Sequence, residues 1–99
     1  MKHVHITGKR WFDRKNGNTY FSCLIWVNSE RVHHIDYEYG YGNQYLDFAT
    51  DWLEENEHMP GREYYPGGGG ESIFSSARRN PKNFKVACSV ADVGRKKDL

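Results

Sequence analysis

The chain has 99 residues, and its 14 lysines and arginines nearly balance its 13 aspartates and glutamates, for a formal net charge of +1. This length is typical of one small domain and excludes a dinucleotide-binding domain or an enzyme barrel. Aromatic residues make up 15% of the sequence, a content that excludes an intrinsically disordered chain. The sequence therefore predicts a single domain over residues 1–99.

The beginning of the chain alternates between apolar and polar residues, as strands do. Three alternating segments follow one another closely, at residues 2–12, 19–28 and 31–39. The turn signal Asn16-Gly17 lies between the first two, so an antiparallel meander is predicted. In the third segment, alternation puts three side chains on one face: Ile35, Tyr37 and Tyr39.

An amphipathic helix is predicted from the capping residue Asn43 to about Glu57. One arc of this helix is apolar, and the opposite arc is an acidic stripe formed by Asp47, Asp51, Glu54 and Glu55.

Residues 58–70 contain prolines and four consecutive glycines, which predict a mobile loop. A short second helix is expected over residues 71–80, a fourth strand over 83–93, and a basic tail over 94–99.

These elements predict an α+β fold in the order β-β-β-α-α-β. A single antiparallel sheet of about four strands packs on one amphipathic helix, and a flexible Gly-rich loop interrupts the second half. The expected core consists of Val4, Ile6, Phe21, Cys23, Ile25, Val27, Ile35, Leu46, Ala49, Trp52, Leu53, Val86 and Cys88.

The second face of the meander is unusually aromatic for a face turned to water. It would carry Trp11, Tyr20, Leu24, Trp26, Val32 and His34. Either the second helix covers it with Ile73, Phe74 and Ala77, or it is an exposed platform that binds single-stranded nucleic acid or a protein. We favour cover by the second helix, because large apolar patches are rare on monomers.

The near-neutral net charge hides a strong segregation along the chain. Residues 1–29 carry a net charge of +4, residues 30–71 carry −8, and residues 72–99 carry +5. Acidic and basic surfaces of this kind can each attract a charged partner, whereas ordinary solvated faces are the alternative interpretation.

Catalytic and cofactor signatures are missing from the sequence. Serines, histidines and acids show no nucleophile-elbow or metalloprotease spacing. His3 and His5 share a strand face, but surface histidines are the better interpretation than a metal site. Glu71 directly follows the four glycines, so they do not form a phosphate loop. We expect no enzyme activity, no catalytic residues, no metal and no cofactor.

The two cysteines, Cys23 and Cys88, each lie in an apolar alternating run. They are either buried free thiols of a cytosolic protein or one disulfide between neighbouring strands. No signal-peptide pattern or membrane-length apolar run is present. We therefore expect a cytoplasmic protein without a membrane partner.

Four local motifs resemble those of small accessory proteins encoded by tailed bacteriophages and prophages. They are Lys9-Arg10-Trp11-Phe12, Gly17-Asn18-Thr19-Tyr20-Phe21-Ser22, Tyr39-Gly40-Tyr41-Gly42-Asn43-Gln44-Tyr45, and Asp92-Val93-Gly94-Arg95-Lys96-Lys97-Asp98-Leu99. Together they cover about a third of the chain in the same order as in that group. The resemblance implies a phage accessory protein in the cytoplasm of a bacterial host, and it implies no catalytic chemistry.

Two functional hypotheses follow. The first is a stoichiometric inhibitor or modulator of a host protein, such as an antiviral defence complex. In this anti-CRISPR-like role the acidic stripe would act as a nucleic-acid mimic in a basic channel. The alternative is a single-stranded nucleic-acid-binding module that uses Trp11, Tyr20, Trp26, Arg78, Arg79, Arg95, Lys96 and Lys97. The sequence leaves the oligomeric state open.

Overall fold

The computed structural model describes residues 2–59, 62, 66, 71–82 and 84–99. Its elements are β1 (Lys2–Asp13), β2 (Asn18–Val27), β3 (Glu30–Tyr39), α1 (Gln44–Glu55), α2 (Ile73–Arg79), β4 (Phe84–Val93) and a short 3₁₀ helix (Lys96–Asp98). The four strands form one sheet in the order β3-β2-β1-β4. The predicted α+β fold and its element order are therefore confirmed.

The sheet is mixed rather than wholly antiparallel. β1 pairs antiparallel with β2, and β2 with β3, but β4 runs parallel to β1. The parallel pairing arises because the connection through both helices brings the chain back to the start of β1. Phe84 consequently lies opposite Lys2, and Val93 opposite Trp11. A helical crossover of this kind is what parallel neighbours require.

A tight two-residue hairpin turn connects β2 and β3. Asn28 and Ser29 both have positive φ angles, 52° and 71°, as a two-residue turn that matches strand twist requires. The Asn28 side-chain oxygen also accepts a hydrogen bond from the backbone N–H of His3, at 2.9 Å. The turn is thereby fixed to the first residues of β1.

The pairing of β3 with β2 is irregular at two places, between Ile25 and Trp26 and between Phe21 and Cys23, and the second of these changes the predicted faces. Cys23 pairs with Ile35, but Phe21 pairs with Glu38, so β3 contains one extra residue between these pairs. Tyr39 consequently lies opposite Tyr20, on the other face of the sheet from Ile35. The predicted common face for Ile35, Tyr37 and Tyr39 is wrong, because the bulge reverses the alternation.

Both helices lie on the same face of the sheet. α1 packs on β1 and β2, and α2 packs on β4. Ile73 of α2 is fully buried in the same core as Leu46, Ala49 and Leu53 of α1. A serine begins α2: the Ser72 hydroxyl accepts a hydrogen bond from the Ser75 N–H. The second helix is thus a part of the main core.

Most of the predicted core is buried, with one clear exception. Ile35, Trp52 and Val86 are only partly buried but pack against the core. Cys88 is exposed, so its assignment to the core is wrong: β4 is an edge strand, and α2 packs against it without covering this residue. The core also contains four residues outside the predicted set, namely Tyr45, Met59, Ile73 and Phe84.

Both cysteines are free thiols. Cys23 lies in β2 and Cys88 in β4, with β1 between them, so the disulfide alternative does not hold. Two strands separated by a third lie roughly 10 Å apart, beyond the reach of a disulfide.

The predicted mobile loop at residues 58–70 falls mostly outside the described residues, as do all four of its consecutive glycines. Of its described residues, Met59 is buried in the core and Arg62 contacts α1.

Candidate functional site

The sheet face opposite α1 and α2, here called the open face, is covered by neither of these two helices. The preferred prediction that α2 covers this face is wrong, since Ile73, Phe74 and Ala77 all pack against the core on the other side. The open face therefore presents Trp11, Tyr20 and Trp26 at its surface, each partly buried by its neighbours.

A row of stacked rings crosses one end of the open face. Trp11 lies opposite Tyr20 on the neighbouring strand, with ring centroids 5.9 Å apart and an interplanar angle of 24°. Tyr20 stacks in turn on Tyr37 of β3, at 4.9 Å and 14°. The pKa of the Tyr37 hydroxyl is raised mainly by desolvation. The electrostatic interaction and the hydrogen bond with Tyr20 raise it further. The rings stack on one another, so their edges rather than their faces point outward.

The basic tail, residues 94–99, contacts this row of rings through Lys96. Tyr37 belongs to the β3 edge of the sheet, whereas the tail leaves β4 at the opposite edge. The Lys96 ammonium nonetheless lies 4.9 Å from the Tyr37 ring centroid, a cation–π contact. Arg95 pairs with Asp98 at 3.2 Å, and Lys97 is exposed. The structure thus brings the tail together with Trp11 and Tyr20.

The other predicted nucleic-acid-binding residues lie elsewhere. Arg78 and Arg79 belong to α2, on the helical side of the sheet. Arg79 also makes two hydrogen bonds to the buried carboxylate of Glu71, at 2.6 and 2.7 Å.

Trp26 is on the open face, but it pairs with His5 and lies towards the opposite end of the sheet from Trp11. The predicted set therefore does not form one site.

Trp26 lies beside a cleft of about 600 Å³ that also contains both N-terminal histidines and Lys85. Among the described residues, no three histidine, cysteine or acidic side chains are grouped so that they could hold a metal ion. His3 and His5 are exposed.

The acidic stripe on α1 is partly paired. Arg62 donates hydrogen bonds to Asp51 and Glu54, each at 3.0 Å, and its side chain is only 10% exposed. Asp47 and Glu55 are exposed, and within the described ranges neither makes an ion pair. The outward negative charge of the stripe is therefore concentrated on Asp47 and Glu55.

The side chain of Trp52 lies between two imidazole rings. His33 of β3 stacks on it with centroids 4.5 Å apart, and His58 stacks on it at 5.4 Å. The Nδ1 atom of His58 is buried without a hydrogen-bond partner among the described residues. This stack fastens the end of α1 to the edge strand β3.

Exposed large apolar side chains lie on both faces of the sheet near the end where β1 ends and β2 begins, with Tyr37 and Tyr39 on the open face and Phe12 and Phe48 on the helical side. Within the described part of the chain they are between 39% and 67% exposed, and they are Phe12, Tyr37, Tyr39, Tyr41 and Phe48. We call these five residues the aromatic end.

Contacts to the start of β2 hold the aromatic end together. Phe12 pairs with Thr19, and Tyr39 pairs with Tyr20. The backbone N–H of Gly40 donates to the Thr19 carbonyl at 3.0 Å, which places Tyr41 nearby. Phe48 of α1 contacts Phe21 edge-to-face at 5.2 Å.

Next to Phe12, between the ends of β1 and β4, lies a cleft of about 700 Å³. Arg10, Arg14 and Asp92 line it, and Arg10 pairs with Asp92 at 3.0 Å. The Arg10 guanidinium also donates to the Gly42 carbonyl at 3.1 Å. The cleft is thus a polar, basic border to the aromatic end.

Sequence reasoning did not single out the aromatic end or Arg62. The motif Tyr39-Gly40-Tyr41-Gly42 was a usable signal, because aromatic residues between glycines at a strand end have little local core to enter. No local signal marks Arg62, whose partners lie 8 and 11 residues away along the chain.

Comparison with protein-family models, with curated proteins and with solved structures finds no significant match. The described helices include none with the length and apolar character that a membrane crossing requires.

Proposed function

We propose that this protein acts by stoichiometric binding to another protein, as a small phage accessory protein that inhibits or modulates a host protein in the bacterial cytoplasm. A component of an antiviral defence complex is the class of target that we propose. The phage origin rests on the four motifs described above. The binding role rests on the exposure of the rings at the aromatic end.

Exposed aromatic rings suit protein recognition for a physical reason. Tyrosine and phenylalanine bury a large area while losing few rotatable bonds, and they are enriched at the centres of protein interfaces. Phe12 lines a basic, polar cleft, and Tyr41 directly precedes Gly42, which also lines it, so the cleft supplies the border that such interfaces usually have. The partner surface that fits is apolar at its centre and acidic where it meets Arg14.

The acidic stripe is the second surface within this proposal. As a nucleic-acid mimic it would use Asp47 and Glu55, since Arg62 already pairs with Asp51 and Glu54. A charge-reversal test should therefore change Asp47 and Glu55, because reversing the other two would also break contacts that hold the chain after α1.

The decisive experiment isolates tagged protein from phage-infected host cells and measures the mass and subunit ratio of the complex that elutes from a sizing column. We expect a host protein at a fixed ratio with the wild-type chain. Tyr39→Ser/Tyr41→Ser should lose this protein. The control Lys82→Ser, an exposed residue between α2 and β4, should retain it.

Asp47→Lys/Glu55→Lys tests the stripe in the same assay. Loss of the partner in this variant alone would assign the contact to the stripe instead of the aromatic end. If no protein is recovered at a fixed ratio with the wild-type chain, the binding proposal is wrong.

Binding of single-stranded nucleic acid is the second candidate. It is favoured by the open face, which neither α1 nor α2 covers, and by Lys96 above the Tyr37 ring. Against it, Tyr20 is stacked on both sides, so its ring faces are not free for bases. Binding of a labelled single strand that weakens steeply with salt and is lost in Trp11→Ala would support this candidate. No binding at low salt would exclude it.

A further inference from the structure

The two edges of the sheet differ in how they are protected from pairing with another strand. The β3 edge carries charged residues at four positions, and it contains two irregularities in its pairing with β2. These charges belong to Glu30, Arg31, Asp36 and Glu38. Charges and bulges of this kind are how proteins prevent edge-to-edge association.

The β4 edge is less protected, because its two charged residues, Lys85 and Asp92, lie next to its two ends. The six residues 86–91 contain no charge, no proline and no glycine. β4 pairs with β1 through ten consecutive residue pairs without an irregularity. Among the described residues, β1 is the only strand that pairs with β4, and half of the backbone N–H and C=O groups of an edge strand point away from its neighbour.

The side chains of β4 also allow close approach. Ala87, Cys88, Ser89 and Ala91 are all small and exposed. On the helical face, Val86 and Val90 are partly buried, each leaving some apolar surface uncovered. A second strand laid along this edge would bury that surface without displacing a large side chain.

We propose that the occupant of this edge is a second copy of the chain, paired β4 to β4 in antiparallel orientation around a two-fold axis. The axis is perpendicular to the sheet, so residues that lie directly opposite each other point to the same face. The result is a continuous sheet of eight strands, with both helical layers on one side.

The sequence of β4 favours one register, centred on Cys88. In this register Val86 lies opposite Val90 of the second copy, and Ala87 opposite Ser89. Cross-strand pairs of β-branched residues stabilise sheets. The two Cys88 residues then lie directly opposite each other, with Cα atoms about 4.5–5.5 Å apart, within the range of a disulfide.

The first test measures molar mass by light scattering under reducing conditions across a range of concentrations. We expect a mass that approaches twice the 11.6 kDa of one chain as concentration rises. Cys88→Lys places two like charges opposite each other and should shift the chain to monomer. Cys88→Ser and the β3-edge control His34→Lys should still dimerise.

Thermal unfolding of each variant shows whether it is folded. Should Cys88→Lys unfold at a lower temperature, Ser89→Lys on the open face provides a second test, because its two lysines lie diagonally across the β4–β4 interface and repel each other. A monomeric mass of the wild-type chain at every concentration overturns the dimer. A dimer that both lysine variants leave intact overturns the β4 interface.

The second test fixes the register by oxidation with diamide, which takes up the two protons and two electrons released when two thiols form a disulfide. We expect a covalent dimer in the wild-type chain and in Cys23→Ser, and none in Cys88→Ser. If the two-fold axis instead passed through Ser89, the two Cys88 residues would be diagonal neighbours. Their Cα atoms would be about 7–8 Å apart, too far for a disulfide. A reversible dimer that yields no cross-link therefore overturns the Cys88-centred register.

Discussion

The ring of Tyr45 lies directly on the backbone of Gly8. A Cβ atom at Gly8 would be 2.8 Å from Cδ2 of Tyr45, a distance that Cβ atoms in proteins essentially never show, and 3.0 Å from Cε2. Gly8 is in the middle of β1, where glycine weakens a strand and thus marks a close approach. This contact lets the first turn of α1 sit against the sheet.

Gly8→Ala should therefore lower the free energy of unfolding by about 1–3 kcal/mol, the usual cost of overpacking a core. Urea unfolding measures this loss, and Gly94→Ala is the matched control, since no atom lies within 4 Å of its added Cβ. The double variant Gly8→Ala/Tyr45→Leu should lose less than the sum of the single variants. Strict additivity would show that the two residues do not interact.

The free energy of unfolding should fall at high pH because the Tyr45 hydroxyl ionises. Burial, and then a hydrogen bond with Cys88, raise the pKa of Tyr45 from 10.0 to about 12. Because the folded state holds this proton more tightly, the contribution is complete below pH 10 and is lost as pH rises through about 12.

Urea unfolding between pH 9 and 12 measures the pH effect, with Tyr45→Phe as the comparison. The wild-type chain should lose stability more steeply over this interval than the variant. Parallel profiles would mean that the phenol of Tyr45 does not titrate differently in the folded and unfolded chains.

Arg78 and Arg79 should differ sharply although they are neighbours. Glu71 has a side chain only 4% exposed and is held by Arg79 and by the Ser75 hydroxyl. Arg79→Ala removes the positive partner of a buried carboxylate and should cost about 1–3 kcal/mol of stability, less than for a fully buried pair because Arg79 is exposed. Arg78→Ala should change stability by less than about 0.5 kcal/mol. Equal effects in thermal or urea unfolding would contradict the structural role of Arg79.

Cys23 should be unreactive in the folded chain. Burial raises the pKa of its thiol to about 11, which leaves little thiolate at neutral pH. In a Cys88→Ser background, a thiol reagent should label Cys23 only after denaturant is added. Rapid labelling of the native protein would show that the β2 core opens readily.

Alternation predicted the faces of β1 and β2 because both strands keep a period of two along their whole length. It failed in β3, where the extra residue between Ile35 and Glu38 moved Tyr37 and Tyr39 to the open face. A bulge is set by how two strands pair, so no pattern within β3 alone reveals it.

The candidate site was predictable only in parts. Trp11, Tyr20 and Lys96 were identified as binding residues, and the structure brings them to one end of the open face. Tyr41 and Phe48 were not identified as a surface, since an apolar residue on a helix or beside a strand is usually buried.

The sequence by itself determined the elements, their order and the α+β class, because local periodicity and turn residues encode which side of each element is apolar. Tertiary structure alone decided that both helices lie on one face, that β4 runs parallel to β1, and that Arg62 pairs with the acidic stripe. These features depend on which apolar surfaces meet across long stretches of chain. The same amphipathic pattern in α2 suits either face of the sheet, and only the space left beside α1 selects one.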